Sequence, residues 1–173
     1  MNPRIEVFVP GEPVPQPRSH STVLTDRGGN VVRGRNGRPI VRHYTPTSRR
    51  KDGTGDISAW KELVMLKLRE QLPYPRTPWD GPVELDITFW FQRTQDLERP
   101  KFGNGELLHD VRPDIDNLAK AVMDVMTAEK VWKDDGRVTD TTVRKRYVAR
   151  GYQAGCRIIA RPIIAGQGSL YDS

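Results

Sequence analysis

From Val83 to Phe91 the side chains alternate without a break. Val83, Leu85, Ile87, Phe89 and Phe91 fall on one side of an extended chain, Glu84, Asp86, Thr88 and Trp90 on the other. A period of two held this long commits the stretch to a strand with one apolar face. Asp86 lies on the opposite face, where a solvated carboxylate is expected, outside any site. Two helices are predicted to cover the apolar face. Ile57, Trp60, Val64 and Leu68 recur at three and four, Leu63 and Leu72 widen the stripe, and Asp56 can serve as N-cap. Trp60 is therefore expected in the core. Leu118, Ala121, Val122, Val125 and Met126 predict a second helix over 116–128.

Further strands are predicted at 4–10, stopped by Pro10 and Gly11, at 138–148, and from Cys156 to Ile159 with an extension toward Ile164. Cys156 alternates inward. The fold class is α+β: one domain over 1–165, a mainly antiparallel or mixed sheet with two main helices packed on it, and a frayed tail at 166–173. Two long connections stand out. Residues 19–50 form a Gly- and Arg-rich loop or arm, with a small hairpin expected where Asp26–Gly29 separates Thr22–Leu24 from Asn30–Arg33. Residues 92–113 form a second long loop.

A chain of 173 residues holds one domain with a proper core and is too short to suggest two. No run approaches the length of a membrane helix, and the N-terminus has no apolar h-region, so a cytoplasmic location is expected. One cysteine excludes an internal disulfide and a Cys-based zinc site. The net charge of +6 is strongly segregated. Residues 18–51 hold nine Lys/Arg against Asp26 alone, and 137–161 hold seven against Asp140 alone. Residues 52–136 hold eleven against seventeen. Basic flanks attract a polyanion, while an acidic middle repels it unless a cation intervenes.

That acidic middle has a focus. Asp114 and Asp116 stand two apart at a helix entrance, Lys120 follows one turn later, and Asp134 and Asp135 come after the helix. Residues at i and i+2 share no helix face, but at an entrance both can converge. One aspartate is explained as an N-cap; the second is not, nor is the later pair beyond an Asp-Asp-Gly turn. The sharper reading is a carboxylate cluster for a hard divalent ion, with the helix and turn returning Asp135 to the first pair. Mg²⁺ takes oxygen ligands and is held by one or two carboxylates plus phosphate oxygens. Lys120, on the face of Asp116, can neutralise charge developing on a phosphate.

The run Pro113-Asp114-Ile115-Asp116-Asn117-Leu118-Ala119-Lys120, then Val131-Trp132-Lys133-Asp134-Asp135-Gly136-Arg137-Val138, resembles the signature of RusA-type Holliday-junction resolvases, common in phages and prophages. The proline-rich opening from Val7 to Arg18 and Tyr44-Thr45-Pro46 before the first helix are more loosely similar. The insertion at 19–43 and the loop at 92–111 depart from the pattern. The resemblance implies a RusA-like fold and a Mg²⁺-dependent endodeoxyribonuclease, with Mn²⁺ able to substitute. It implies a homodimer that cuts four-way DNA junctions by paired symmetric nicks in recombination, repair or phage replication, without an organic cofactor or a membrane. Carried over, Asp114, Asp116 and Asp135 are the metal-binding catalytic acids and Lys120 the basic partner; Asp134 has no assigned role. Phosphate contacts are expected from Arg18, Arg33, Arg35, Arg38, Arg49, Arg50 and Lys51, and from Arg144, Lys145 and Arg146.

Other chemistries find less support. His20, His43 and His109 are scattered, and His109 is expected to be a polar loop residue. Ser19, Ser21 and Ser48 lack a His/Asp partner at recognisable spacing. Competing functions are a nuclease for flaps or other branched DNA, a non-catalytic DNA-binding module whose acids are caps and turns, and a metal-dependent sugar transferase, for which the chain is short and too basic.

Overall fold

The alternating stretch forms the centre of a five-stranded sheet. In a computed structural model that describes residues 4–18, 20–44, 56–72 and 76–164, it is strand β4 (Val83–Phe91). The other described strands and helices are β1 (Ile5–Pro10), β2 (His20–Val23), β3 (Val41–Tyr44), α1 (Ile57–Gln71), β5 (Leu107–Leu108), α2 (Ile115–Ala128), β6 (Val138–Tyr147) and β7 (Gly155–Pro162). The main sheet runs β1-β7-β4-β6-β5, with β2 and β3 pairing separately. β4 is antiparallel to β7 and parallel to β6. A parallel pair needs a crossover, and α2 supplies it.

Register lines up the apolar rows. Ile87 lies between Ile158 and Val143, and Phe89 between Cys156 and Lys145. Trp60, Val64 and Leu68 of α1 and Leu118, Ala121, Val122, Val125 and Met126 of α2 join the strands in one core. Trp60 and Cys156 are buried as predicted. Each such aliphatic side chain withdrawn from water contributes about 1.5–3 kcal/mol, so the two helix stripes fix the helices to one face. Asp56 caps α1 through its carboxylate, which accepts from the Ser58 N–H at 2.8 Å. No helix among the described residues is long and apolar enough to cross a membrane.

The other sheet face carries cross-strand ion pairs. Asp86 is not solvated: Arg144 donates to both of its oxygens at 2.7 and 2.9 Å. Glu84, buried, meets Arg161 at 2.7 Å. A strand neighbour of opposite charge, invisible to single-strand periodicity, withdraws each carboxylate from water.

Both long connections are more ordered than expected. Between residues 92 and 113 lie two 3₁₀ turns, Gln95–Glu98 and Pro100–Phe102, and then β5. Arg93 sits buried at their centre and donates to the carbonyls of Val148 (2.9 Å), Leu97 (3.1 Å), Gly103 (3.0 Å) and Gly105. Five donors in a rigid fork suit this role. Over residues 20–44 the arm is a nested β ribbon. β2 pairs with β3, Thr25 bridges Val31 in the expected hairpin, and a second bridge joins Arg33 to Pro39. Asp26 closes the first turn by accepting from Gly28 and Asn30. Arg49, Arg50, Lys51 and the predicted tail lie outside the described residues.

Candidate active site

Asp114 occupies the N-cap position of α2 with extended backbone (φ −68°, ψ 139°), yet its side chain caps nothing. Its carboxylate instead accepts from the Arg18 guanidinium at 2.7 Å, and the same nitrogen lies 3.8 Å from Asp116. A capping bond to a free helix N–H is worth about 1 kcal/mol. Asp56 makes one, and Asp134 does the equivalent in its own turn, accepting from Gly136 N–H at 2.9 Å. Asp114 forgoes it. Two exposed carboxylates therefore converge on one cation, a guanidinium here. Arg18 reaches them because the proline-rich segment is pinned to the first turn of α2 by Gln16 N–H donating to Asn117 C=O at 2.9 Å.

The approach to this pair is held from below. Lys145 Nζ donates to the carbonyls of Val111 and Pro113, both at 2.7 Å. Lys145 faces the helices on β6, paired with Phe89, so the residue expected to touch phosphate turns inward to the loop. Its neighbours are also engaged: Arg144 with Asp86, and Arg146 with the Lys145 carbonyl at 2.7 Å. His109 is not a solvated loop residue. It is buried, with its ring 4.2 Å from Phe91 and 4.5 Å from Tyr147. Burial, then the nearby Lys145 charge, push its pKa below the usual histidine value.

Lys120 is exposed one turn beyond Asp116, with Asp124 3.5 Å away; Lys61 also reaches Asp124, at 3.0 Å. Asp135 is fixed more tightly. Its Oδ1 accepts from Thr127 Oγ1 at 2.5 Å and from Trp132 Nε1 at 3.1 Å. Trp132, fully buried, also donates to Thr127 Oγ1 at 2.7 Å. Asp135 is thus tied to the last turn of α2. The eleven residue steps from Asp116 to Thr127 span about 16.5 Å of helix axis at about 1.5 Å each. Carboxylates sharing one Mg²⁺, with oxygens about 2.1 Å from it, sit far closer than that. The expectation that helix and turn return Asp135 to the first pair does not hold within one chain: α2 keeps them apart. Among the described residues, no three His, Cys, Asp or Glu side chains gather as a metal site.

The donor set still fits a hard cation. Asp114 and Asp116 offer oxygens alone, are open to solvent, and already share a positive group, and Mg²⁺ is commonly held by two carboxylates with water and phosphate completing the shell. The roles of Thr127, Trp132 and Lys145 around the acids have no local sequence signal, since each acts across a turn or between elements. Arg18 had half a signal: Pro13, Pro15 and Pro17 predict an extended run ending at it, but not its target.

A family model described as endodeoxyribonuclease RusA matches residues 10–154, a span that contains every residue of the site. No curated protein matches the chain.

Proposed function

The chain belongs to the RusA endodeoxyribonuclease family, and from that premise we propose that it is a Mg²⁺-dependent resolvase that acts as a homodimer on four-way DNA junctions, with Mn²⁺ able to substitute. The observation that carries the reading is the Asp114 carboxylate, withheld from the helix it begins and set beside Asp116 around one cation. In this reading Asp114 and Asp116 hold the divalent ion. A divalent ion held by Asp114 and Asp116 would supply Lewis-acid polarisation of a phosphate and a more acidic bound water. Lys120, exposed on the face of Asp116, neutralises charge on the phosphate oxygens. Arg18 and the arm arginines Arg33, Arg35 and Arg38 meet the backbone of the DNA.

The third acid follows from symmetry. Asp116, Lys120 and Thr127 are spaced by four and then seven, so they line one stripe of α2. Asp135 lies on Thr127 at one end of that stripe and the acid pair at the other. Two copies with their α2 helices antiparallel about a two-fold axis set each Asp135 against the acid pair of the other subunit. One operation then completes both sites. Two sites related by a two-fold suit a substrate in which two equivalent strands are cut.

The test is cleavage of a synthetic four-way junction with and without Mg²⁺, beside a flap and a linear duplex. Paired nicks on the junction alone, dependent on Mg²⁺, are expected. Equal rates on all three would sink the resolvase reading, and binding without nicking would favour a DNA-binding module.

A further inference from the structure

We propose that a cleft on the ion-paired face of the main sheet receives an unpaired nucleobase of the branched DNA, a reading that rests on the nuclease assignment. The cleft is about 580 Å³, within the range of small-ligand sites and large enough for a nucleotide. Phe8, Trp90 and Tyr152 line it, with Glu106 and Gln153 at its polar edge. Its walls are built in place. The Phe8 ring lies 6.4 Å from Trp90 and rests over Gly155, where a Cβ would collide with it. Trp90 Nε1 donates to Glu106 Oε1 at 2.7 Å. Tyr152, among the most exposed large side chains, is presented by a tight turn in which its N–H donates to the Ala149 carbonyl at 3.1 Å.

The chemistry fits a base better than an apolar peptide. Flat aromatic walls stack any base, and the second Glu106 oxygen and the Gln153 amide offer acceptors and a donor to a base edge. The Arg157 guanidinium, 6.0 Å from the Trp90 ring centroid, places a cation beside the stack where a phosphate follows. A row of the same sheet face runs from the cleft to the strand that precedes the site loop. Trp90 pairs with Arg146, and Arg146 with Leu108, so one transverse row crosses to the loop that leads into Asp114. Two strand spacings of about 4.8 Å separate Trp90 from Leu108. Drawing a base out of its stack at the crossover costs a few kcal/mol, which stacking on the aromatic walls, at about 1–3 kcal/mol per base, would offset.

The experiment is ultraviolet cross-linking of the full chain, in EDTA, to a four-way junction with 5-iodouracil at the branch point, mapped by mass spectrometry. Cross-links to Tyr152, Trp90 or Phe8 with the junction, and none with linear duplex, are expected. Tyr152→Ala, a surface change that leaves the core alone, is expected to weaken junction binding about 5- to 100-fold while duplex binding is unchanged. Cross-links elsewhere or absent, an unaltered junction affinity, or a change in oligomeric state with Tyr152→Ala would each overturn the pocket. Nicking of the unmodified junction by the wild-type chain decides the nuclease reading separately: a cut junction without a filled cleft removes only the pocket.

Discussion

Asp114 stands where a helix asks for a capping side chain, and its carboxylate is turned elsewhere. Removing its charge therefore takes little from the fold. Asp114→Asn should melt within about 0.5 kcal/mol of wild type while abolishing cleavage and sparing junction binding. Asp56→Ala, which deletes a cap in use, should cost about 1 kcal/mol and leave nicking intact. Thermal melts beside a nicking assay check both, and a large loss of stability in Asp114→Asn would return it to a structural role. Lys145 makes a second contrast. A phosphate-contacting lysine, when removed, lowers the salt slope of binding by about one. Lys145 is bound to the carbonyls of Val111 and Pro113 instead. Lys145→Met should therefore reduce kcat strongly with the salt slope unchanged, and Lys145→Arg should recover part of the rate; a shallower slope at normal kcat would make it a DNA contact after all.

At the scale of elements, α2 was legible nearly to the residue because one apolar stripe, Leu118 to Met126, sets its length and buried face. Its role as a spacer was not. Periodicity says which residues share a face, but the tie from Asp135 to Thr127 and Trp132 depends on a turn that no period encodes. The segment 92–113 read as a loop because its organiser is a buried arginine, Arg93, satisfied by carbonyls of residues 97–105 and by Val148. A charged residue gives no sequence sign that it is the core of a loop. The end of this segment carries a pH-dependent load. His109 is held neutral in the fold, its pKa depressed by burial and then by Lys145. The unfolded chain binds the proton first, so stability is complete above the ordinary histidine pKa of about 6.5. It falls as pH drops below that value, until the folded histidine also protonates. His109→Phe keeps the ring between Phe91 and Tyr147 and removes the titration. Melting temperatures from pH 7.5 to 5.5 should fall less in that variant than in wild type, and parallel curves would exclude His109 as the source.

For the whole molecule, the segregated charge anticipated a basic arm and an acidic centre, and the structure adds how they meet: Arg18, at the start of the arm, sits on the acid pair. The α+β class and mixed sheet were legible because strands and helices each announced one apolar face. The ordering β1-β7-β4-β6-β5 was not, since strand partners are chosen by register and crossover geometry. Neither was the separation of Asp135, tied to Thr127, from Asp114 and Asp116, and the site proposed to be shared between two copies yields a test at the level of the assembly. Asp116→Asn and Asp135→Asn should each be inactive as homodimers. When the two are mixed and allowed to exchange subunits, a site shared across the two-fold gives each heterodimer one doubly damaged site and one intact site. If the sites lie across the two-fold, the mixture should recover nicking, about half of the dimers being mixed at equal input and random exchange. Only one strand of each junction should be cut per mixed dimer. If all three acids of a site came from the same chain, every site in the mixture would carry one lesion, and activity would stay at the level of the separate variants. A denaturing gel that counts nicks per junction separates these outcomes directly.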